Sequence, residues 1–289
     1  MVIDCHYHLE TRMQSIENLI LKMELNGIEK TALIPIICDV PPELTSFTLK
    51  LFHMILFHKL TRPFALKFVS SFTPEGDLIL QNKHIKLYKD FDNESVAKAI
   101  KSYPDKFYGW IFVNPKGNND QVDEYNKWRR YSGFIGVKAH PYWNQYQLKE
   151  LLPVAHLAAQ DGRPLLIHAG LDDDDKIEAF TKAVPNLKLI LAHAGFPGYS
   201  DTWRKVCDNE NVFVDLCANA YVNEKTTKQA VDYLGAERCL FGTDGPYGFH
   251  SDDGFFDNGF IKRRIELLFQ DQGIQNKILG DNFRKLIPV

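Results

Sequence analysis

A rhythm constrains this chain more than any single motif does. Short apolar runs recur along it, and each is followed by a stretch whose apolar residues return every three or four positions. The first pattern is that of a buried strand, the second that of a helix with one buried face. The runs predict strands at Val2–His6, Thr31–Ile37, Phe107–Val113, Phe134–Lys138, Pro164–His168, Leu187–His193, Val212–Leu216 and Arg238–Gly242. The other pattern predicts helices at Gln14–Asn26, Glu94–Tyr103, Gln121–Tyr131, Leu148–Gln160, Lys176–Val184, Tyr199–Asn209, Lys225–Leu234 and Gly259–Phe269, with a last one over Asn276–Leu286. Continuous apolar strands joined by helices form parallel sheets covered on both faces. Eight such units over 289 residues predict an α/β fold of one domain, residues 1–289, closed as a (β/α)8 TIM barrel. An open doubly wound sheet would carry a glycine-rich loop after its first strand, and Cys5–Thr11 contains no glycine.

One segment breaks the rhythm. Residues 39–93 read as a helical insertion after the second strand, with an unusually apolar piece at Leu44–Leu60 and another at Phe64–Phe72. It follows the strand end that faces the active-site mouth of a barrel. It therefore reads as a lid, as a contact that would make a homodimer, or as extra helices on the barrel rim.

The composition narrows the partners. A formal charge of −3 gives no electrostatic reason to expect a nucleic acid or an acidic membrane surface. No stretch approaches about 18 uninterrupted apolar residues, so no transmembrane helix is expected. Nothing resembling a cleavable signal precedes the first histidines. The five cysteines (Cys5, Cys38, Cys207, Cys217 and Cys239) are odd in number and lack C-x-x-C spacing. They read as reduced thiols of a cytoplasmic protein whose partner is a small-molecule substrate.

The chemistry collects at the strand ends. The first strand runs into His6 and His8, which point to one side of an extended chain, Cα atoms about 6.6 Å apart. The fourth ends in Lys138 with His140 beyond it, the fifth in His168, the sixth in His193, and the eighth leads to Asp244. A lone histidine after a strand is usually a satisfied structural residue. Packing does not account for six of the ten histidines, His250 included, lying at or just beyond strand ends. In a barrel these positions share one mouth. Imidazole and carboxylate ligands suit zinc, and also manganese or iron. A catalytic zinc keeps a position open for water and acidifies it, and an aspartate beside that water can move its proton.

The pieces Val2-Ile3-Asp4-Cys5-His6-Tyr7-His8, Gly136-Val137-Lys138-Ala139-His140-Pro141, Leu166-Ile167-His168-Ala169-Gly170, Leu191-Ala192-His193-Ala194-Gly195 and Phe241-Gly242-Thr243-Asp244-Gly245-Pro246 occur in this order. With the tail Ile278–Leu286, they resemble the amidohydrolase superfamily. Within it they resemble the amidohydrolase-related branch that includes aminocarboxymuconate-semialdehyde decarboxylase and γ-resorcylate decarboxylase. The resemblance covers nearly all of the chain except the insertion. It implies that His6, His8, His168 and Asp244 hold one divalent metal per chain, rather than two, and that Asp244 also shuttles a proton. It implies that His193 polarises the substrate or serves as general acid/base. Lys138 would be a substrate-binding cation, or, in a two-metal form, a carboxylated bridge with His193 on the second metal.

Other residues carry less. His140, Tyr142, Trp143, Tyr247 and His250 lie in loops after strands four and eight, where they line a substrate pocket or only pack. Arg12 reads as a partner for a substrate carboxylate or as a surface arginine. The acidic run Asp172–Asp175 reads as the solvated first turn of a helix. The motifs are specific to the superfamily and not to a reaction, and the preferred reading is a metal-dependent hydrolase in which metal-activated water attacks an ester, lactone or amide carbonyl of a small molecule. The alternative is a lyase, a metal-dependent non-oxidative decarboxylase of an aromatic or unsaturated carboxylic acid. A catalytically silent binding barrel is a third class, and the complete set of ligands with His193 and Asp244 argues against it.

Overall fold

The computed structural model describes residues 1–42, 46–58, 60–62, 64, 71–80, 83–169, 174–248, 250 and 253–288. Leu44, residues 65–70 of the second apolar piece, and Asp172 and Asp173 of the acidic run lie outside the described residues, as do the side chains of 46–50 and 174–175. In chain order the strands are β1 (Ile3–His8), β2 (Lys30–Ile34), β3 (Ser71–Phe72), β4 (Leu78–Leu80), β5 (Lys83–Ile85), β6 (Phe107–Phe112), β7 (Phe134–Ala139), β8 (Leu165–Ile167), β9 (Leu189–Leu191), β10 (Val212–Asp215) and β11 (Cys239–Leu240). Eight of them form one parallel sheet in the order β1-β2-β6-β7-β8-β9-β10-β11.

The last strand returns to the first. The Cys5 N–H donates to the Phe241 carbonyl at 3.0 Å and the His8 N–H to the Gly245 carbonyl at 2.7 Å, and Tyr7 and Gly245 form a parallel bridge. The (β/α)8 barrel predicted from the rhythm is the fold observed. Several strands are shorter than their apolar runs, because the backbone turns out of the sheet where the site begins. Beyond the ends of β9 and β11, His193 adopts φ 55° and Asp244 φ 60°, both in the left-handed region.

Two irregularities decide which side chains face inward. In β1, Ile3 and Cys5 pack with Trp110, Leu166, Ile190 and Leu240 inside the barrel. Tyr7 instead packs with Leu33, Ile111, Val137 and Leu191, between the barrel and its helices. The change of face falls between Asp4–Thr31 and Tyr7–Leu33, where β1 has one more residue than β2. β7 behaves alike between its pairs Phe134–Gly109 and Gly136–Trp110, with Ile135 as the extra residue. Such bulges re-aim side chains, and here they bring His6, His8 and Lys138 to the inside of the mouth. Gly136 follows from close approach, since a Cβ there would lie 2.4 Å from the Pro164 carbonyl oxygen and 2.6 Å from Trp110 Cζ3. The tail helix Asn282–Leu286 sends Phe283 and Leu286 into the inner set and closes the other end.

The insertion is only partly helical. Helix Ser46–Leu56 is followed by β3, β4 and β5, which pair antiparallel as a separate small sheet. Pro74 and Gly76 (φ 93°) turn the chain between β3 and β4, a sequence that breaks helices. Leu78 and Ile85 pack with Ile37 and Cys38 just beyond β2. No helix among the described residues is long and apolar enough to cross a membrane.

Candidate metal centre

Asp4, His6 and His8 belong to β1, and all three are buried. Asp4 ties the strand to the loop that carries Asp244. Its carboxylate accepts from the Thr243 hydroxyl at 2.6 Å, the Thr243 N–H at 3.0 Å and the His6 N–H at 3.0 Å. The Asp244 N–H in turn donates to the His6 carbonyl at 2.8 Å. This frame sets the side chains of the two ends of the sheet against each other. One carboxylate oxygen, Asp244 Oδ1, lies 3.3 Å from His6 Nε2 and 3.4 Å from His8 Nε2.

A second carboxylate closes the other side. Asp215 ends β10, and its Oδ2 accepts from His6 Nδ1 at 2.9 Å. Its Oδ1 accepts from the Cys217 thiol at 2.7 Å and from the His193 N–H at 2.8 Å. His193 Nδ1 lies 3.1 Å from Cys217 Sγ, and His193 Nε2 lies 3.1 Å from His168 Nδ1. His140 stacks on His168 at 4.2 Å and on Trp143 at 4.8 Å, and its Nδ1 accepts the Trp143 N–H at 3.1 Å.

The charges follow from burial and neighbours. Burial pushes Asp215 up, but His6, by charge and hydrogen bond, and then His193 outweigh it and hold its pKa down at about 2. Burial also works against the Asp244 carboxylate, and His193, His8 and His6 outweigh it, leaving its pKa well below the usual range. Burial lowers His6, with Lys138 acting in the same direction, and brings His193 down to about 4. His140 and His168 are lowered strongly, first by burial. Lys138 is fully buried, and among the described residues no side chain hydrogen-bonds its ammonium. Burial lowers its pKa, while Asp215 and Asp244 oppose the shift.

Among the described residues two groups offer ligand atoms within 4.8 Å of one another: His6, His8 and Asp244, and His6, His193, Asp215 and Cys217. The second group is satisfied by its own hydrogen bonds. The first is not. His6 Nδ1 donates to Asp215, so a neutral His6 presents a bare lone pair from Nε2 to an oxygen of the Asp244 carboxylate. Two electron pairs held together without a cation between them repel. His168 Nε2 and His8 Nδ1 are further buried nitrogens without a partner. These donors fit a divalent cation of borderline hardness.

The structure thus brings together His6, His8, Asp244, His168, His193 and Lys138. His168 touches His193 rather than the His6–His8–Asp244 group, and both ring nitrogens of His193 are engaged. Tyr247 lies 5.3 Å from His8, and Tyr142 6.4 Å from His168. Arg12 is committed elsewhere: its Nε donates to buried Glu10 at 2.8 Å and its guanidinium to the Cys38 carbonyl at 2.9 Å. His250 is exposed and bridges to Phe256. Asp215 and Cys217 were not singled out from sequence. The strand-end rule that found the histidines also marks Asp215, the last residue of a strand in the otherwise apolar run Val212–Leu216.

Fold and site together define a (β/α)8 barrel with a cluster of histidines and carboxylates at its strand ends, a candidate cation site. The chain belongs to the amidohydrolase family, whose model (Amidohydro_2) matches residues 81–289. That range holds Lys138, His140, His168, His193 and Asp244 and begins after His6 and His8. Among curated proteins no sequence matches. Solved structures share the fold at low identity. A TIM-barrel protein from Bordetella bronchiseptica superposes with a TM-score of 0.66 at 16% identity, covering 99% of this chain and 97% of that one. A protein titled a putative 2-pyrone-4,6-dicarboxylic acid hydrolase, from Pseudomonas putida, gives 0.62 at 15%, covering 99% and 97%. A dihydroxybenzoic acid decarboxylase from Polaromonas sp. JS666, with bound manganese, gives 0.62 at 17%, covering 99% and 96%.

Proposed function

We propose that the protein is a metal-dependent hydrolase of an ester, lactone or amide bond in a small molecule. The observation that carries this reading is the convergence of two imidazole Nε2 atoms on one oxygen of Asp244. His6, His8 and Asp244 would hold the cation, with His168 as the fourth ligand. Zinc is the metal of choice, with manganese or iron as alternatives, one per chain. When bound, the cation would acidify water and polarise the carbonyl oxygen.

Asp244 is the member of the triad that reaches out of the core. Its side chain is 14% exposed, against 1% for His6 and 3% for His8. It can therefore take the proton from an attacking water and pass it to the leaving group. Lys138 would supply a buried amine, free of side-chain hydrogen bonds among the described residues, for an oxyanion or a substrate carboxylate. His193 holds His168 in place.

The second reading, a decarboxylase, is supported by the walls of the mouth. His140, Trp143 and His168 stack face to face, a surface suited to a planar conjugated acid. There Lys138 would hold the carboxylate, carbon dioxide would leave, and a solvent proton would replace it on carbon.

The deciding experiment measures metal content by plasma mass spectrometry, beside His168→Ala, and then turnover in oxygen-18 water on ester, lactone, amide and aromatic-acid panels. One metal per chain, reduced in the variant, with heavy oxygen in the product, is the expected result. Carbon dioxide release with solvent deuterium on carbon would replace hydrolysis by decarboxylation. Activity undiminished after complete metal removal would overturn both.

A further inference from the structure

We propose that Cys217 is a positioning residue: with Asp215 it fixes the tautomers of His6, His193 and His168, so that Nε2 of His6 and Nε2 of His168 carry no proton. Asp215 can only accept, so the groups touching it must donate. Cys217 Sγ lies 2.7 Å from Oδ1, so the thiol keeps its proton and directs it there. His6 Nδ1 lies 2.9 Å from Oδ2 and must carry a proton, which leaves Nε2 bare in the neutral ring.

The thiol proton is now committed, and the sulfur has only lone pairs to offer His193. The contact of 3.1 Å between His193 Nδ1 and Sγ is then a donation from the ring. A neutral His193 protonated on Nδ1 has a lone pair on Nε2. The 3.1 Å contact from there to His168 Nδ1 requires His168 to donate. His168 is therefore protonated on Nδ1, and its buried Nε2, which has no partner, is a bare lone pair. One aspartate thus sets a ring directly on one side and, through a thiol and a second imidazole, another ring on the other side. Ligand histidines are commonly set by a carboxylate behind them. The added element here is the sulfur that turns the chain of donors around.

The purpose of this arrangement rests on the metal reading above, but its first test does not. Two-bond proton–nitrogen correlation spectra of the nitrogen-15 labelled, metal-free wild-type protein report each ring's tautomer. The three rings are assigned from His6→Gln, His168→Gln and His193→Gln spectra. All three should show protonated Nδ1; a proton on Nε2 of His168 or His193 would overturn the proposal.

Zinc affinity, read by competition with a chelating dye, supplies the second arm. Cys217→Ala should weaken binding about 10–100-fold, the usual loss for a group behind a metal ligand. Cys217→Ser, which keeps a donor and lone pairs, should stay within about threefold of wild type. Equal affinity in the alanine variant, or equal loss in both, would remove the positioning role. Wild-type protein that binds no zinc but shows the expected tautomers would sink the metal reading and leave the assignment of the rings standing.

Discussion

The carboxylate of Asp215 meets no water. A bare carboxylate in such a place would be costly, and the thiol of Cys217, the His6 ring and the His193 N–H offset that by donating to it. Asp244 has fewer such donors and reaches the opening, which separates its task from that of Asp215. Asp244→Asn should leave the fold intact and lower turnover by about 10²–10⁴, because an amide cannot accept the proton; circular dichroism with steady-state kinetics checks both halves. His6, His8, His168, His193, Lys138 and Asp244 were legible because polar residues interrupt or end apolar runs at matching places. Asp215 obeys the same rule yet stands alone, and one aspartate after three apolar residues carries little weight. Cys217 was invisible for a different reason. Buried cysteines are ordinary core residues, and only the distance to Asp215 distinguishes this one.

At the level of the strands, two bulges matter more than any propensity. Side chains alternate along a regular strand, so without the extra residue in β1 the set that begins with Ile3 and Cys5 would keep the inside. His6 and His8 would then lose their common place in the mouth. Periodicity shows the strand but not the extra residue, since a bulge depends on pairing with a neighbour. The small sheet β3–β5 escaped notice because its strands are two or three residues long, too short for alternation to be counted. β7 offers a test of how tightly the bulged strands are held. Gly136→Ala would push a methyl group against the Pro164 carbonyl and the Trp110 ring and should destabilise the protein by about 1–3 kcal/mol. Urea denaturation would show this as a lower midpoint with an unchanged slope. An unchanged midpoint would mean that the strand can shift to make room.

For the whole molecule, the eightfold alternation carried enough information to give the closed barrel, because each unit must bury an apolar strand beneath a helix. If a cation binds the folded site alone, it must also stabilise the fold. Saturation at about 100 times Kd contributes about 2.7 kcal/mol, and zinc should therefore raise Tm by about 4 °C for a chain of this size. Calorimetry with zinc and with a chelator would measure it, and coincident transitions would count against the site. The frame of that site joins Asp4 to Thr243, 239 positions apart in sequence. During synthesis β1 is made before β11, so a nascent chain that has not reached Asp244 holds only part of the proposed centre. If the proposed site takes up its ion, it can do so only after Asp244 has been made, and a nonsense codon anywhere before Asp244 should yield a product that lacks the proposed centre.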